Sequence, residues 1–393
     1  MHDYHGDEDA FRRARLSVTF TPRGAITLTF IAFGVMVGAQ IGAIPVLKVN
    51  AGVDAFTFGI LTGFGTAANI LALAMGGWLN RHFDHRSVIL FILPVAFVAL
   101  VASLMVNSVS TFGLTVVLFS FCLGTLDIFM NAEAGVVEHE MKKPVFSSFH
   151  ASVLYGIGLS GLGGGYIAVT YGAIWAALLA VPFLVLAMMA VNAAIPHRVE
   201  VHEDAPAPVA LPHKILIIIG IVIGLDVAAE LTCIQWSGQM LAEMQPTLAQ
   251  FSGLGVAFYG LCNGTVRLFG DKLRARFDDI TLIVVSLCIG VTGFAILATG
   301  PGFAISVAAF AVAGSGLGLI FPCLFSVAAR LAPESRAAAL SLVSAVSGPP
   351  RIFLPMLLGV LAQGYGLSAI YSAAGFACAL AIGFTIWAGR EMA

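Results

Sequence analysis

Three acids and one arginine lie deep inside long apolar segments of the sequence. They are Asp127, Asp226, Glu230 and Arg351. A charge at the centre of a bilayer costs about 2.5–3.5 kcal/mol on insertion scales, so each of these residues is a functional candidate. Because one cation cannot neutralise three acids, at least one acid should be protonated during part of a working cycle or await a cationic partner. The sequence therefore predicts that Asp127, Asp226 and Glu230 couple the protein to protons.

Neutral polar residues and one tryptophan also lie inside apolar segments. Asn131 follows Asp127 by four residues, which places both on one face of a helix. Gln40, Gln235 and Trp236 supply amide groups and an aromatic wall. A few convergent polar groups among apolar walls are typical of small-molecule sites. We therefore expect a substrate site that contains Gln40, Asn131, Gln235, Trp236 and Arg351.

The two arginines inside predicted helices need partners or access to water. An unpaired guanidinium at the depth of Arg351 would be costly, so we expect it to pair with Asp127 or Glu230 in at least one state. Arg267 lies closer to the end of its segment. We expect its side chain to reach the membrane surface or to pair with Asp271.

Buried acids and a substrate site are typical of a transporter that moves a solute, but two other classes of function must be weighed against it. Asp127 and Asp226 are candidates for an acid pair like that of an aspartic protease. Neither stands in a Gly-x-Gly-Asp sequence, however, and the chain has no HExxH motif, so we expect no enzyme. The six cysteines form no CxxC pair, and we expect no metal or cofactor. A receptor that binds a solute without moving it is also compatible with these residues.

Twelve apolar segments must position these side chains in a lipid bilayer. Hydrophobic residues make up 59% of the 393 positions and charged residues only 10%, which is typical of a membrane protein. The net charge of -2 argues against nucleic-acid binding. A helix needs about 20 apolar residues to cross a bilayer. We predict an all-α membrane protein with spans at 24–46, 55–79, 87–106, 112–136, 147–169, 173–195, 214–240, 250–270, 280–299, 303–329, 336–362 and 367–389.

The predicted spans fall into two halves of six. The stretch 197–213 is the longest polar segment between spans, and its Pro and Ala content is typical of a linker. Aligning the halves places Asn69 on Asn263 and Asp84 on Asp278, so the halves form a repeat. Such repeats in transporters hold the solute at their interface. The predicted organisation is a tail at 1–23, a bundle at 24–196, a linker at 197–213 and a second bundle at 214–393.

Basic residues indicate the orientation in the membrane. Of the 19 Lys and Arg residues, only Lys48 falls in a predicted loop on one side. The positive-inside rule assigns the opposite side to the cytoplasm. We therefore expect an inner (plasma) membrane protein whose termini and linker are cytoplasmic. The basic residues predicted on the cytoplasmic side are Arg12, Arg13, Arg15, Arg23, Arg81, Arg86, Lys142, Lys143, Arg198, Lys214, Lys272, Arg274, Arg276, Arg330, Arg336 and Arg390.

The loop after predicted helix 2 reads GGWLNRHFDHR. It resembles the signature Gly-x-Leu-x-Asp-Arg-x-Gly-Arg-Arg of the major facilitator superfamily. Gly77 and Arg86 match that signature, whereas Arg81 stands at its aspartate and Asp84 at a glycine. A second copy, GDKLRARFD, follows predicted helix 8. The resemblance implies a major facilitator fold in which both loops take part in gating, through Gly77, Arg81, Asp84, Arg86, Gly270, Arg276 and Asp278.

Other segments resemble the fucose-permease-like branch of that superfamily. Glu230 followed by Trp236-Ser237 is similar to the branch pattern Glu-Gly-x-x-x-Asp-Trp-Ser, with Gln235 in place of the aspartate. The segment Asp127-Ile-Phe-Met-Asn131 agrees with it. The resemblance implies a transporter that moves a sugar or another small polar solute together with protons.

The same resemblance extends to predicted helix 11, which contains Gly348, Pro349 and Pro350. Prolines permit bends within a membrane helix, so these residues are candidate flexing points for alternating access.

We expect a monomer whose partners are the solute, protons and the lipid bilayer. Efflux of drugs or metabolites by proton antiport is the alternative mode of transport.

Reporter fusions test the predicted topology. A fusion after Lys48 and a fusion after Arg198 should report opposite sides of the membrane, because five predicted spans, an odd number, lie between the two positions. If both fusions report the same side, the twelve-helix topology is wrong.

Overall fold

The computed structural model describes residues 20–143, 145–197, 213–333 and 335–392. Most of the predicted tail and linker, including Arg198, lies outside the described residues. Helices of the first half are α1 Pro22–Ala51, α2 Ala55–Ala74, α3 His85–Leu104, α4 Val109–Met141, α5 Phe146–Tyr171 and α6 Val181–Ala194. Those of the second half are α7 His213–Met244, α8 Leu254–Arg274, α9 Asp279–Ala298, α10 Phe303–Leu317 continued by Ile320–Leu331, α11 Arg336–Tyr365 and α12 Leu367–Met392.

Shorter segments complete these helices. A helix at Gly76–His82 follows α2, a 3-10 segment at Ala173–Leu179 precedes α6, and another at Pro246–Phe251 precedes α8. Within the described residues, 11 spans are long and apolar enough to cross a membrane, with the segment before α6 counted as part of it. The remaining helix, α8, carries several charged residues in its last two turns, which make it more polar. The predicted all-α architecture of twelve spanning helices is confirmed.

Aspartates begin the corresponding helices of the two halves. Asp84 accepts a hydrogen bond from the backbone N–H of Ser87 at 2.9 Å and so caps α3. Asp278 accepts one from Thr281 at 2.8 Å and caps α9. Hydrogen bonds from the side chain and backbone of Thr281 lower the pKa of the Asp278 carboxyl below its usual value. Two residues predicted to act in gating therefore fix where helices start.

Lys48 does not lie in a loop, contrary to the expectation from the sequence. Helix α1 continues to Ala51, and Lys48 lies in its last turn with only 7% of its surface exposed. We call this side of the bundle, where α1 ends and α2 begins, the Lys48 end. The opposite side, where α1 begins and α2 ends, is the Arg81 end.

The two halves meet along two helix pairs, α2 with α11 and α5 with α8. A Cβ atom added at Gly59 of α2 would lie 2.6 Å from the Cα of Gly359 in α11. A Cβ at Gly158 of α5 would lie 3.0 Å from the carbonyl oxygen of Ala257 in α8. Small residues thus let the backbones of the two halves approach closely.

Replacing one of these glycines should weaken the interface. Gly59→Ala is expected to lower the melting temperature in detergent, because the added methyl group meets the Gly359 backbone; overpacking of this kind costs about 1–3 kcal/mol. Gly77→Ala is the matched control, since no atom lies within 4 Å of a Cβ at Gly77 and alanine favours a helix. Equal melting temperatures for the two variants would contradict this account of the interface.

Candidate substrate and proton site

A cavity of about 250 Å³ lies between α1, α2 and α4 of the first half and extends to α7 and α11 of the second. Its aromatic wall consists of Phe33, Phe58, Phe112 and Phe119. Its polar lining consists of Gln40, Thr62, Thr66, Asn69, Ser103, Thr115, Ser120, Gln235 and Arg351. A mixed lining of this kind is typical of sites for small polar molecules.

The structure brings three of the predicted substrate residues together in this cavity. Gln40, Gln235 and Arg351 come from α1, α7 and α11 and all line it. Asn131 and Trp236 are not among the lining residues. The side-chain amide of Asn131 instead donates to the Asp127 carboxylate at 2.7 Å. The sequence thus identified part of the lining. It also predicted Asn131 and Trp236 as lining residues, but their side chains do not line the cavity in this conformation.

The hydroxyl-bearing face of α2 was not recognised from the sequence. Thr62, Thr66 and Asn69 line the cavity and are spaced by four and three residues, so they share one helix face. That spacing is a signal within an apolar segment and would have identified them. Asn69 also donates from its amide to the backbone oxygen of Ser120 at 3.3 Å.

Glu230 has partners that the sequence did not predict. Its carboxylate accepts hydrogen bonds from Arg267 at 2.9 Å and from Asn263 at 2.8 Å. The expected partner of Arg267 was Asp271 or the membrane surface, and this expectation is wrong for the conformation described. Arg267 turns towards α7 and is only 15% exposed, since the buried acid compensates its charge. The interior therefore contains two cations for its three acids.

Asp226 lies one turn before Glu230 on α7 and is completely buried. Neither of its carboxyl oxygens has a hydrogen-bond partner among the described residues. The acid pair with Asp127 that an aspartic protease would need is therefore not formed. An unpartnered acid in an apolar surrounding is much less costly in its neutral form than as an anion.

Arg351 lines the cavity without a hydrogen bond or ion pair to any residue of the described chain, and its Nε atom is buried. Asp127 and Glu230 are close enough to act on it electrostatically. Its predicted direct pairing with one of these acids is absent in this conformation and stays a prediction for another state.

The halves are joined at the Lys48 end by contacts around Lys48. Its ammonium group donates to the side-chain oxygen of Gln239 in α7. It also lies 4.9 Å from the ring centre of Phe58 and 5.2 Å from that of Trp236. The two rings meet edge to face at 4.9 Å. Trp236, predicted to contact substrate, is therefore part of the contact that closes this end.

At the Arg81 end, polar contacts hold helices within each half. His197 contacts the Asp84 carboxylate at 2.8 Å, and Arg86 donates to the Asn192 side chain at 2.6 Å. In the second half, Asp279 accepts hydrogen bonds from Arg274 at 2.9 Å and Arg330 at 2.5 Å. This triad was not predicted, although Asp279 directly follows the α9 cap and lies opposite the basic end of α10.

The remaining residues predicted to act in gating have different surroundings. Arg81 and Arg276 are exposed, and no atom lies near a Cβ at Gly77. A Cβ at Gly270 would lie 2.9 Å from Leu319. Pro350 packs against Gly224 of α7, whose added Cβ would lie 2.8 Å from the proline ring. Pro349 and Pro350 are accommodated inside the continuous helix α11, and Gly348 lies near Ile70 of the other half.

Away from the Lys48 end, the hydroxyl groups of Tyr155 and Thr265 also contact each other across the two halves. That contact, at 3.0 Å, joins α5 to α8. The two halves are therefore tied at the Lys48 end and along the middle.

Two helical bundles around a polar cavity with buried acids define a solute-transporter architecture. The Major Facilitator Superfamily model matches residues 26–348, and the chain belongs to that family. It is therefore a membrane transporter of the major facilitator type, and the family predicted from the signature loops is confirmed. The uncharacterized transporter y4wD of Sinorhizobium fredii is 24% identical over 370 residues, covering 92% of this chain and 96% of that protein.

Solved structures share the fold at low sequence identity. A mutant of the nucleoside transporter NupG aligns with a TM-score of 0.73 and 11% identity, covering 93% of this chain and 99% of that one. A D-xylose-proton symporter aligns with a TM-score of 0.72 and 14% identity, covering 92% of this chain and 95% of that one. These similarities establish the common architecture of the two bundles.

Removing the Lys48 contact should loosen the closed end. In a background with serine at the two cysteines that are not buried, Cys262 and Cys288, a Gln40→Cys reporter places a thiol in the cavity. Adding Lys48→Met should raise its labelling rate by an impermeant maleimide from the Lys48 side roughly tenfold, because a cation–π contact and a hydrogen bond are lost.

The matched control for this experiment is Lys143→Met, which removes an exposed cation at the opposite end. It should leave the labelling rate unchanged. An unchanged rate with Lys48→Met would show that Lys48 does not hold this end closed.

Proposed function

We propose that this chain is a monomeric, proton-coupled secondary transporter that moves a small polar solute across the inner membrane by alternating access. The observation that carries the proposal is the cavity formed by Gln40, Gln235 and Arg351 from both halves, close to the fully buried Asp226 and the part-buried Glu230 of α7. The bundles are 24–196 and 214–393, joined by the linker at 197–213. One chain supplies both sides of the site, so a second copy is not needed.

The distribution of basic residues supports cytoplasmic termini and linker. The Arg81 end then faces the cytoplasm and the Lys48 end faces outward. With the halves tied around Lys48, the conformation described is the outward-closed state of the cycle. Rocking of one bundle against the other would break the Lys48–Gln239 contact and open the cavity outward.

The surroundings of Glu230 support its role as the residue that carries the coupling proton. In the outward-closed state its carboxylate is bound by Arg267 and Asn263, as expected after the proton has been released inward. Arg267 then replaces the proton as the compensating charge. Asp226 retains a proton in this state, because both of its oxygens are buried without partners in the described chain. Asp127, bound to Asn131, is the third candidate.

Two resemblances support proton-linked movement of a hydroxylated solute. The pattern around Glu230 and Trp236 is similar to that of the fucose-permease-like branch. The solved protein described as a D-xylose-proton symporter shares the fold. Both favour symport, in which the solute and the proton cross the membrane in the same direction.

Replacing Glu230 tests proton coupling. The assay uses the purified protein in liposomes with the solute that gives the largest thermal shift in a screen of sugars, amino acids and organic acids. Glu230→Gln should abolish accumulation driven by a pH gradient but spare exchange of solute between equal pools, because exchange needs no net proton movement.

Glu391→Gln is the control, because Glu391 is an exposed acid at the end of α12, away from the cavity and from the contacts around Lys48. It should retain pH-driven accumulation. Full pH-driven accumulation by Glu230→Gln would move the role to Asp226 or Asp127, and failure of the wild-type protein to accumulate solute would overturn proton coupling itself.

A further inference from the structure

Arg351 is the one charged residue among the described residues that line the central cavity. The acids near it are directed elsewhere. Asp127 is bound by the Asn131 amide, and Glu230 by Arg267 and Asn263. Within the described chain, Arg351 therefore has no direct ion-pair partner on the side that faces the cavity. A buried guanidinium in this setting favours an anionic ligand and disfavours a cationic one.

The threonines of the lining have already used their hydroxyl hydrogens. Thr62 donates to the carbonyl oxygen of Phe58 at 2.9 Å, and Thr66 donates to that of Thr62 at 3.0 Å. Thr115 donates to the carbonyl oxygen of Thr111 at 2.8 Å. What these side chains present to a ligand is the remaining lone pairs of their oxygens. A ligand that satisfies them must bring hydroxyl or N–H donors of its own.

The aromatic residues set a limit on the rest of the ligand. Phe33, Phe58 and Phe119 form apolar walls around a space of only about 250 Å³. Such walls suit the C–H faces of a small carbon skeleton, while the small volume excludes bulky molecules. The side-chain amides of Gln40 and Gln235 make no hydrogen bond within the described chain and can serve either as donors or as acceptors.

We propose that the solute is a small hydroxylated monocarboxylate, of the sugar-acid or hydroxy-acid class. Its carboxylate pairs with the Arg351 guanidinium, and its hydroxyl groups donate to the threonine oxygens of α2 and α4. The proposal rests on the proposed function, because it takes the central cavity as the transport site. Movement of one such anion with one proton would carry no net charge.

Matched ligand pairs test this assignment by isothermal titration calorimetry on the purified full-length protein. The pairs are glucuronate with glucose and glycerate with glycerol, each differing chiefly in a carboxylate. The wild-type protein should bind at least one acid roughly 10- to 100-fold more tightly than its neutral partner, as expected for a buried charge-assisted hydrogen bond. Arg351→Gln should remove that preference, and Arg351→Lys should retain part of it.

Several outcomes would overturn the assignment. These are equal or tighter binding of the neutral partner, no binding of either acid, and an undiminished preference in Arg351→Gln. Should Arg351→Gln fail to fold, as judged by its melting temperature, Thr66→Val provides the second test. It removes one acceptor oxygen and should weaken binding of the acid by about fivefold or more. Unchanged affinity in this variant would also count against the proposal.

The experiment separates this inference from proton coupling. Exchange of radiolabelled glucuronate or glycerate between equal pools requires the substrate class but no pH gradient. Exchange without pH-driven accumulation would leave the substrate class standing and remove the coupling. If a pH gradient drives the accumulation of neutral solutes but of neither acid, the proton coupling stands and the substrate class is wrong.

Discussion

The high cost of a charge in hydrocarbon is the constraint on which the arrangement of this bundle depends. Glu230 lies in the interior as a partner of Arg267. Glu133 and His85, each 1% exposed, contact each other at 3.1 Å. The described contacts between acidic and basic side chains lie within a single half, except that Asp84 contacts His197 at the start of the linker. A rotation of one half against the other therefore leaves these buried charges compensated, which is a physical requirement for a protein that changes conformation within lipid.

The contacts between the halves are of a different kind. Close backbone approaches, such as Gly59 with Gly359, join α2 to α11, and few side-chain hydrogen bonds cross the interface. Lipid tails are as apolar as the packed side chains, so such an interface has little hydrophobic driving force. Its stability comes from packing that can be exchanged for contacts at the other end. Lys48 adds a polar contact that is available only while the Lys48 end is closed.

The signature loops illustrate how one pattern serves different local purposes. Asp84 and Asp278 start α3 and α9, but the interactions beside them differ between the halves. The first half places His85 against Glu133, whereas the second places Asp279 between two arginines. Both arrangements tie the start of one helix to its neighbour. The repeat therefore preserves the positions of the helices, while the side chains that hold them differ between the halves.

By itself, the sequence determined the number of spanning helices, the division into halves and the presence of acids within the membrane. These are local properties, because each depends on the length and apolarity of a single segment. It also identified Gln40, Gln235 and Arg351 as candidates for one site. Only the tertiary structure decided that Arg267 pairs with Glu230. The reason is physical: such contacts depend on which faces of two helices meet, and that is set by packing across the whole bundle.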